Sequence, residues 1–208
     1  MDVRDAYNIW ANQYDSDSNK TRDIEAISLR TVLDNISFSN CLEIGCGTGK
    51  NTTWLVERAS HVTAVDFSVE MLSKARVKVD SAKIDFIQFD IKDAWSFADR
   101  KYDLVVFSLV LEHIENLANI FEKVSNVTTA GSLVYIGELH SFKQYTGSKA
   151  TFETTDGSEF IPSYNHHISD FTMNAKANNF EIVSVNEFFD NNDRTNIPRI
   201  LALLLKKA

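Results

Sequence analysis

The sequence predicts an α/β fold: a seven-stranded, mostly parallel sheet with helices on both faces and a reversed strand hairpin at its C-terminal edge. Three observations predict it. Strand-like and helix-like segments alternate from Asn40 to Gly137, which is the signature of a parallel sheet with crossover helices. The first strand runs straight into a turn with glycines at positions 45, 47 and 49, followed by a helical segment. The last two strand-like runs, Phe180–Phe188 and Ile197–Leu205, have only the polar stretch DNNDRTN between them, so they must pair antiparallel.

The elements follow in order. Residues 5–14 and 22–35 read as helices, the second carrying an apolar stripe of Ile24, Ile27, Leu29, Val32 and Leu33, with a polar loop between them. Asn40–Ile44 is the first strand and Asn51–Ala59 the first core helix. His61–Val65 is a strand ending at Asp66. Ser68–Val79 is a helix with Ser68 as its N-cap and Glu70 just behind it. Ile84–Phe89 is a third strand, ending at Asp90. Asp103–Leu109 is nearly all apolar, as a strand covered on both faces should be. Ile114–Val127 is a helix, and Thr129–Gly131 turns the chain into the strand Ser132–Gly137. The alternation then breaks. Lys149–Thr154 and Glu159–Ser163 flank Asp156–Gly157, a hairpin turn, and Ser169–Asn178 is a helix.

The predicted organisation is one domain over residues 1–208. A helical lid occupies 1–35, a core 36–140, a hairpin insert 141–165, and a helix with a strand hairpin 166–208. The 208 residues are 44% hydrophobic, enough for one substantial core. A formal charge of −8 disfavours duplex nucleic acid and anionic membrane surfaces as partners. The longest apolar runs, Leu104–Leu111 and Ile200–Leu205, are too short to span a bilayer. MDVRDAYNIW has no apolar signal core, and Cys41 and Cys46 have neither CxxC nor metal spacing. The expectation is a cytoplasmic protein with reduced thiols and no metal.

The glycine turn carries the chemistry. Without Cβ atoms its backbone can approach a ligand closely, and the following helix aims free N–H groups at the same place. The spacing is GxGxG and not the dinucleotide GxGxxG. Asp66 lies about 20 residues on, where an acid can accept from ribose hydroxyls. Asp90 ends the third strand. Three features at the carboxyl ends of three successive strands converge on one crevice.

Taken together, ExGxGxG, AVDFSVEML, FIQFD and YDLVVFSLVLEHI resemble the class I S-adenosylmethionine-dependent methyltransferases. The likeness is to the small-molecule branch that includes the ubiquinone/menaquinone and acyl-carrier-protein ester methyltransferases, and it covers about half of the chain. It implies a Rossmann-like sheet and S-adenosylmethionine as cofactor, with S-adenosylhomocysteine as product. It implies that the backbone of Gly45, Cys46 and Gly47 lines the methionine end, with Gly49 completing the turn and Glu43 steadying it. Asp66 would hold the ribose, Phe67 would pack on adenine, and Asp90 and Ile91 would frame the adenine edge. Met71 of AVDFSVEML falls in the same group. Ser108 would lie beside the sulfonium. Tyr14 would cover the cofactor, with Trp10 and Tyr7 joining that lid and reaching the acceptor.

Methyl transfer needs in-line positioning, and a base only when the acceptor is a weakly acidic hydroxyl or a protonated amine. His140, in GELHSF after the fifth strand, is the first candidate for base or orienter. His166 and His167, before the last helix, are the next, and His113 of LEHI is placed on the acceptor side. Tyr145 belongs to an aromatic-bearing insert that roofs an acceptor pocket or makes a dimer contact. The sequence has no NPPY-like tetrad, no Pro-Cys nucleophile and no paired-glutamate loop, leaving a small organic acceptor. A non-methylating enzyme on the same scaffold and a catalytically silent partner subunit stay open as alternatives. So do monomer and homodimer.

Overall fold

The computed structural model describes residues 2–154 and 157–208. Its main sheet has seven strands in the order β3-β2-β1-β4-β5-β9-β8. These are β1 (Asn40–Ile44), β2 (His61–Asp66), β3 (Ile84–Gln88), β4 (Leu104–Ser108), β5 (Leu133–Leu139), β8 (Phe180–Phe188) and β9 (Ile200–Lys207). The first five are mutually parallel, and β9 runs antiparallel to both β5 and β8. The predicted reversed hairpin is therefore present, with β9 inserted between β5 and the edge strand β8.

Two apolar layers hold the sheet. On one face α5 (Leu117–Val127) presents Leu117, Ile120, Phe121, Val124 and Val127, spaced at three and four residues, and α7 (Ile168–Ala177) adds Phe171 and Ala175. On the other lie α2 (Lys20–Leu33), α3 (Thr52–Arg58) and α4 (Val69–Lys78), with Leu29, Leu33, Leu55 and Leu72 buried against Cys41, Val62 and Val106. From β1 the chain steps to β2 and β3 on one side, then returns to β4 and β5 on the other. The switch between β1 and β4 opens a crevice at the strands' carboxyl ends, which is where ligands bind in such sheets.

Four elements depart from the expectation. The first helix, α1, is Val3–Trp10, shorter than the predicted 5–14, and α2 begins at Lys20 because Asn19 caps it through Arg22 N–H. The predicted helix Ile114–Val127 starts three residues late, as α5 at Leu117 with Asn116 as its cap, and an unpredicted 3-10 turn, Leu111–His113, precedes it. The cause is Glu138, whose carboxylate accepts from Val110 N–H at 3.0 Å and Leu111 N–H at 2.8 Å and fixes the turn. The insert contains an unpredicted helix, α6 (Ser141–Tyr145), before β6 (Thr151–Thr154) and β7 (Gly157–Phe160) pair. The predicted turn at Asp156–Gly157 falls partly outside the described residues, and Gly157 itself opens β7. No helix among the described residues is long and apolar enough to cross a membrane.

Candidate active site

The glycine turn divides its labour. Gly45 has φ +71°, and a Cβ there would sit 2.1 Å from Val110 Cγ2, so the loop after β4 can close over β1 only on a glycine. Gly47 has φ +53° and nothing within 4 Å of where a Cβ would be, so its surface is open to a ligand. The turn is tied to β2: Gly45 N–H and Cys46 N–H both donate to Val65 O, at 2.7 and 3.1 Å. Gly47 N–H donates to Asp66 Oδ2 at 2.8 Å, and Ser68 N–H donates to Oδ1 at 2.9 Å. Burial raises the Asp66 carboxyl to about 6, against the pull of these N–H groups.

Three cavities lie around this turn and the lid, two of them lined by the turn itself. A cleft of about 710 Å³ runs over the ends of β1 to β4, with Gly45, Gly47, Asp66, Phe67, Asp90, Ile91 and Ser108 in its walls and Tyr7, Tyr14 and His113 across from them. A smaller compartment lies between Gly45–Thr48 and the start of α3, where Arg22 and Lys50 oppose Glu25 and Glu43. A third chamber, about 940 Å³ and continuous with solvent, lies between the first turn of α2, the lid and the insert. Tyr14 and Leu109 line all three. Leu109 has φ +57°, a left-handed backbone uncommon for a leucine, held by its N–H to Gly137 O at 2.8 Å.

The comparisons with known proteins bear on this arrangement. The family described as "Methyltransferase domain" matches residues 42–136, the glycine turn through β5. An uncharacterized methyltransferase of Emericella nidulans is 23% identical over 246 positions, spanning 100% of this chain and 86% of that one. A malonyl-[acyl-carrier protein] O-methyltransferase of Acetivibrio thermocellus is 30% identical over 106 residues, but this covers half of the chain and only 37% of the relative. Among solved structures, the DhpI–SAM–HEP complex superposes with a TM-score of 0.75 at 26% identity, covering 97% of this chain and 94% of that one.

The chain carries a methyltransferase domain over residues 42–136, a little under half of its length. The site fits S-adenosylmethionine, the cofactor that the sequence resemblance implies, in three respects. The cleft has an open glycine, apolar walls and a carboxylate with lone pairs to spare on both oxygens. The compartment is lined by two cations, Arg22 and Lys50, and by two buried carboxyls, Glu25 and Glu43, which are hydrogen-bonding groups for an amino-acid end. Tyr14 and Leu109 stand in the walls of both and of a separate chamber.

Most of the expected cofactor residues of the methyltransferase lie where the sequence places them. Asp90 and Phe67 are also tied to α1, since Arg4 pairs with Asp90 at 3.2 Å and lies over the Phe67 ring. Cys46 lines the compartment. Glu43 lies there too, accepting from Thr52 Oγ1 at 2.6 Å, with its carboxyl pushed by burial to about 8. Two expected residues are structural. Gly49 packs against Ala75 of α4 and Val79 just past its end, and Met71 is fully buried and lines none of the three cavities.

The histidine assignments change more. His140 is fully buried, its Nδ1 accepts from Phe142 N–H at 3.2 Å as the cap of α6, and its Nε2 faces Glu187 at 3.1 Å. Both ring nitrogens are occupied and it lines none of the three cavities. His166 donates from Nε2 to Ile114 O at 2.7 Å and Leu111 O at 3.1 Å, which pins the 3-10 turn. His167 is exposed at the start of α7 and bonds Tyr145 OH, so neither reaches the cleft. His113 does reach it. Its Nδ1 must donate to Pro162 O at 2.8 Å, since a carbonyl only accepts, so Nε2 is left as the acceptor for Tyr7 O–H at 2.9 Å. Burial lowers the His113 pKa and keeps the ring neutral.

Sequence reasoning missed Arg22, Glu25, Lys50, Asn51 and Glu112. Glu25 is buried, bonded by Asn51 Nδ2 at 2.9 Å and by Tyr135 O–H at 3.2 Å. Gly137 makes room for it, because a Cβ there would meet Tyr135 and Glu25 oxygens within 2.7 Å. Arg22 donates to the Tyr14 and Asp17 carbonyls and stacks 4.0 Å over the Tyr14 ring. An α2 that reads as an ordinary amphipathic helix offers no signal for either residue.

Proposed function

We propose that this methyltransferase methylates a small organic acceptor that enters through the third chamber and meets the cofactor at Tyr14 and Leu109. The observation that carries the reading is the three-way junction. One arm suits a nucleoside, one an amino-acid end, and the third is left for the acceptor. S-adenosylmethionine, when bound, supplies an activated methyl group on a sulfonium. Asp66 and Phe67 hold the nucleoside end, the Gly45–Gly47 backbone with Arg22, Glu25 and Glu43 holds the amino-acid end, and residues 1–35 with the insert close over both.

Tyr7 and His113 replace His140 as the proton-handling pair in this reading. Tyr7 lines both the cleft and the chamber, so its phenol oxygen is within reach of an acceptor at the junction. It can take the acceptor's proton while passing its own to the neutral Nε2 of His113. The imidazolium that results keeps its Nδ1–H on Pro162 O, and Glu112 Oε1 lies 4.0 Å from Nε2 to offset the charge. The buried free thiols of Cys41 and Cys46 suit a reducing, cytoplasmic setting.

Calorimetric titration with S-adenosylhomocysteine tests the cofactor assignment. A micromolar Kd, roughly −8 kcal/mol, is expected. Replacing Asp66 by Asn should weaken binding by about 1–3 kcal/mol through lost hydrogen bonds. No heat and no thermal shift in the wild type would overturn the reading.

A further inference from the structure

The third chamber has a charge that the rest of the protein does not. The chain carries a net −8, yet Lys20, Arg22, Lys149 and Arg199 line this chamber against one carboxyl, Glu112. Arg199 is chelated by Asp190, and its remaining nitrogen Nη1 donates to Thr21 Oγ1 at 3.0 Å. Arg22 spends its two terminal nitrogens on main-chain carbonyls, so its bonds leave its charge uncancelled. Residues 18–22, the cap and first turn of α2, form one wall of the chamber. A helix start leaves N–H groups without helical acceptors and carries the positive end of the helix dipole. Asn19 takes only one of them, Arg22 N–H at 3.1 Å.

The other side of the chamber differs. Glu112 is 94% removed from solvent, its Oε2 has no hydrogen-bond partner among the described residues, and its neighbours there are Tyr7 and Leu109 at the junction. An unpaired carboxyl oxygen in a buried place costs free energy unless a ligand meets it. The chamber is therefore bipolar. It has a cationic end on α2 and the insert, and Glu112 and Tyr7 at the other.

We infer that the acceptor is a small organic anion with a second, protonated nucleophile: its anionic group sits on the first turn of α2 with Lys20 and Lys149, and its hydroxyl or amine lies against Glu112 and Tyr7. The inference rests on the cofactor and acceptor assignment proposed above and adds the acceptor's charge. The shared chemistry is an oxyanion, and carboxylate and phosphonate acceptors are separate arms of the test.

The protein is first saturated with S-adenosylhomocysteine, which blocks Arg22 and Lys50 in the cofactor compartment. Glycolate, hydroxymethylphosphonate, glycolamide and ethanolamine are then titrated in turn by calorimetry. At least one of the two anions is expected to bind at least tenfold more tightly than the neutral amide and the amine. The charge-reversing surface variants Lys20→Glu and Lys149→Glu should each weaken that anion by tenfold or more while leaving S-adenosylhomocysteine affinity unchanged. Glu112→Gln should weaken the hydroxy anions but not acetate. Binding of the product nucleoside with no preference for anions, or an anion affinity indifferent to both lysine variants, overturns the inference and leaves the cofactor assignment standing. Failure to bind S-adenosylhomocysteine at all strikes the cofactor assignment instead.

Discussion

The two halves of the site are built from different materials. The proposed cofactor half is centred on main chain, a glycine turn, a strand end at Asp66 and a helix start within residues 41–68, to which side chains such as Asp90 and Arg22 are added. The acceptor half is side chain, drawn from α1, α2, the turn after β4, the insert and the loop before β9. Main-chain geometry is set by local sequence, because only glycine tolerates these dihedrals and close approaches. Side-chain geometry is set by topology, which brings Tyr7 to His113 across 106 positions. One half can therefore stay constant while the other varies, and the following changes test how separable they are.

The largest effect should come from Gly45→Ala. Its Cβ would overlap Val110 Cγ2 at 2.1 Å in a left-handed backbone. A loss of about 2–4 kcal/mol in stability is expected from the dihedral and overpacking together, with cofactor binding abolished. Gly47→Ala has no steric neighbour and should cost stability only about 1–2 kcal/mol, yet its methyl enters the cleft and should also remove binding. Urea midpoints and calorimetry on both variants check this. Equal stability losses would dissolve the distinction between a glycine for the fold and a glycine for the ligand.

Tyr7→Phe breaks the acceptor half alone. It keeps the aromatic packing on Phe67 and Trp10 and removes only the hydroxyl that donates to His113. Turnover should fall by about 100-fold or more, the usual range for a positioned proton acceptor, with S-adenosylhomocysteine affinity unchanged. Because burial holds His113 below its ordinary 6.5, the acid limb of the wild-type rate profile should lie below that value. A variant that retains full turnover would leave Tyr7 as lid packing.

The same contrast explains what the sequence disclosed. Strands β1 and β8 were legible to the residue, and Ser68 caps α4 as its position implies, with Met71 N–H donating to its Oγ at 3.1 Å. Residues that line the cleft were legible because they cluster in short motifs at strand ends. The proposed Tyr7–His113 pair was not. His140 follows β5, where an acceptor should enter, but a histidine that caps a five-residue helix carries no local mark of that role. Glu25, Glu112 and Glu138 look like surface residues in sequence and are buried only because β5, α2 and the turn after β4 converge on them. Lys149 and Arg199 reach one chamber only through the insert and the C-terminal hairpin.

A milder change sharpens the electrostatic side. Burial raises Glu43 to about 8, well above its ordinary 4.5, so the folded state holds a proton there that the unfolded chain has released. Stability from this group is complete below about 4.5 and is lost as pH rises toward 8. The urea midpoint of the wild type should fall between pH 5 and 8. Glu43→Gln keeps an acceptor for Thr52 and should flatten part of that slope. Asp66 near 6, Glu112 near 7 and Glu138 near 8 titrate in the same direction and leave the remainder. A slope indifferent to Glu43 would place the pH sensitivity in the acceptor half.

The smallest effect should come from Tyr145→Phe. Tyr145 is 52% exposed, its hydroxyl bonds the exposed His167, and neither lines any of the three cavities. Stability should change by about 0.5 kcal/mol or less, as for surface substitutions generally, and kcat/KM by no more than twofold. The result matters because α6 leads into the chain that supplies Lys149 to the acceptor chamber and packs Ile161 against Ala6 and Trp10 of the lid. A tenfold loss of kcat/KM would mean that the acceptor reaches past Lys149 across the outer face of the insert, and the boundary between chamber and surface would have to move outward to α6.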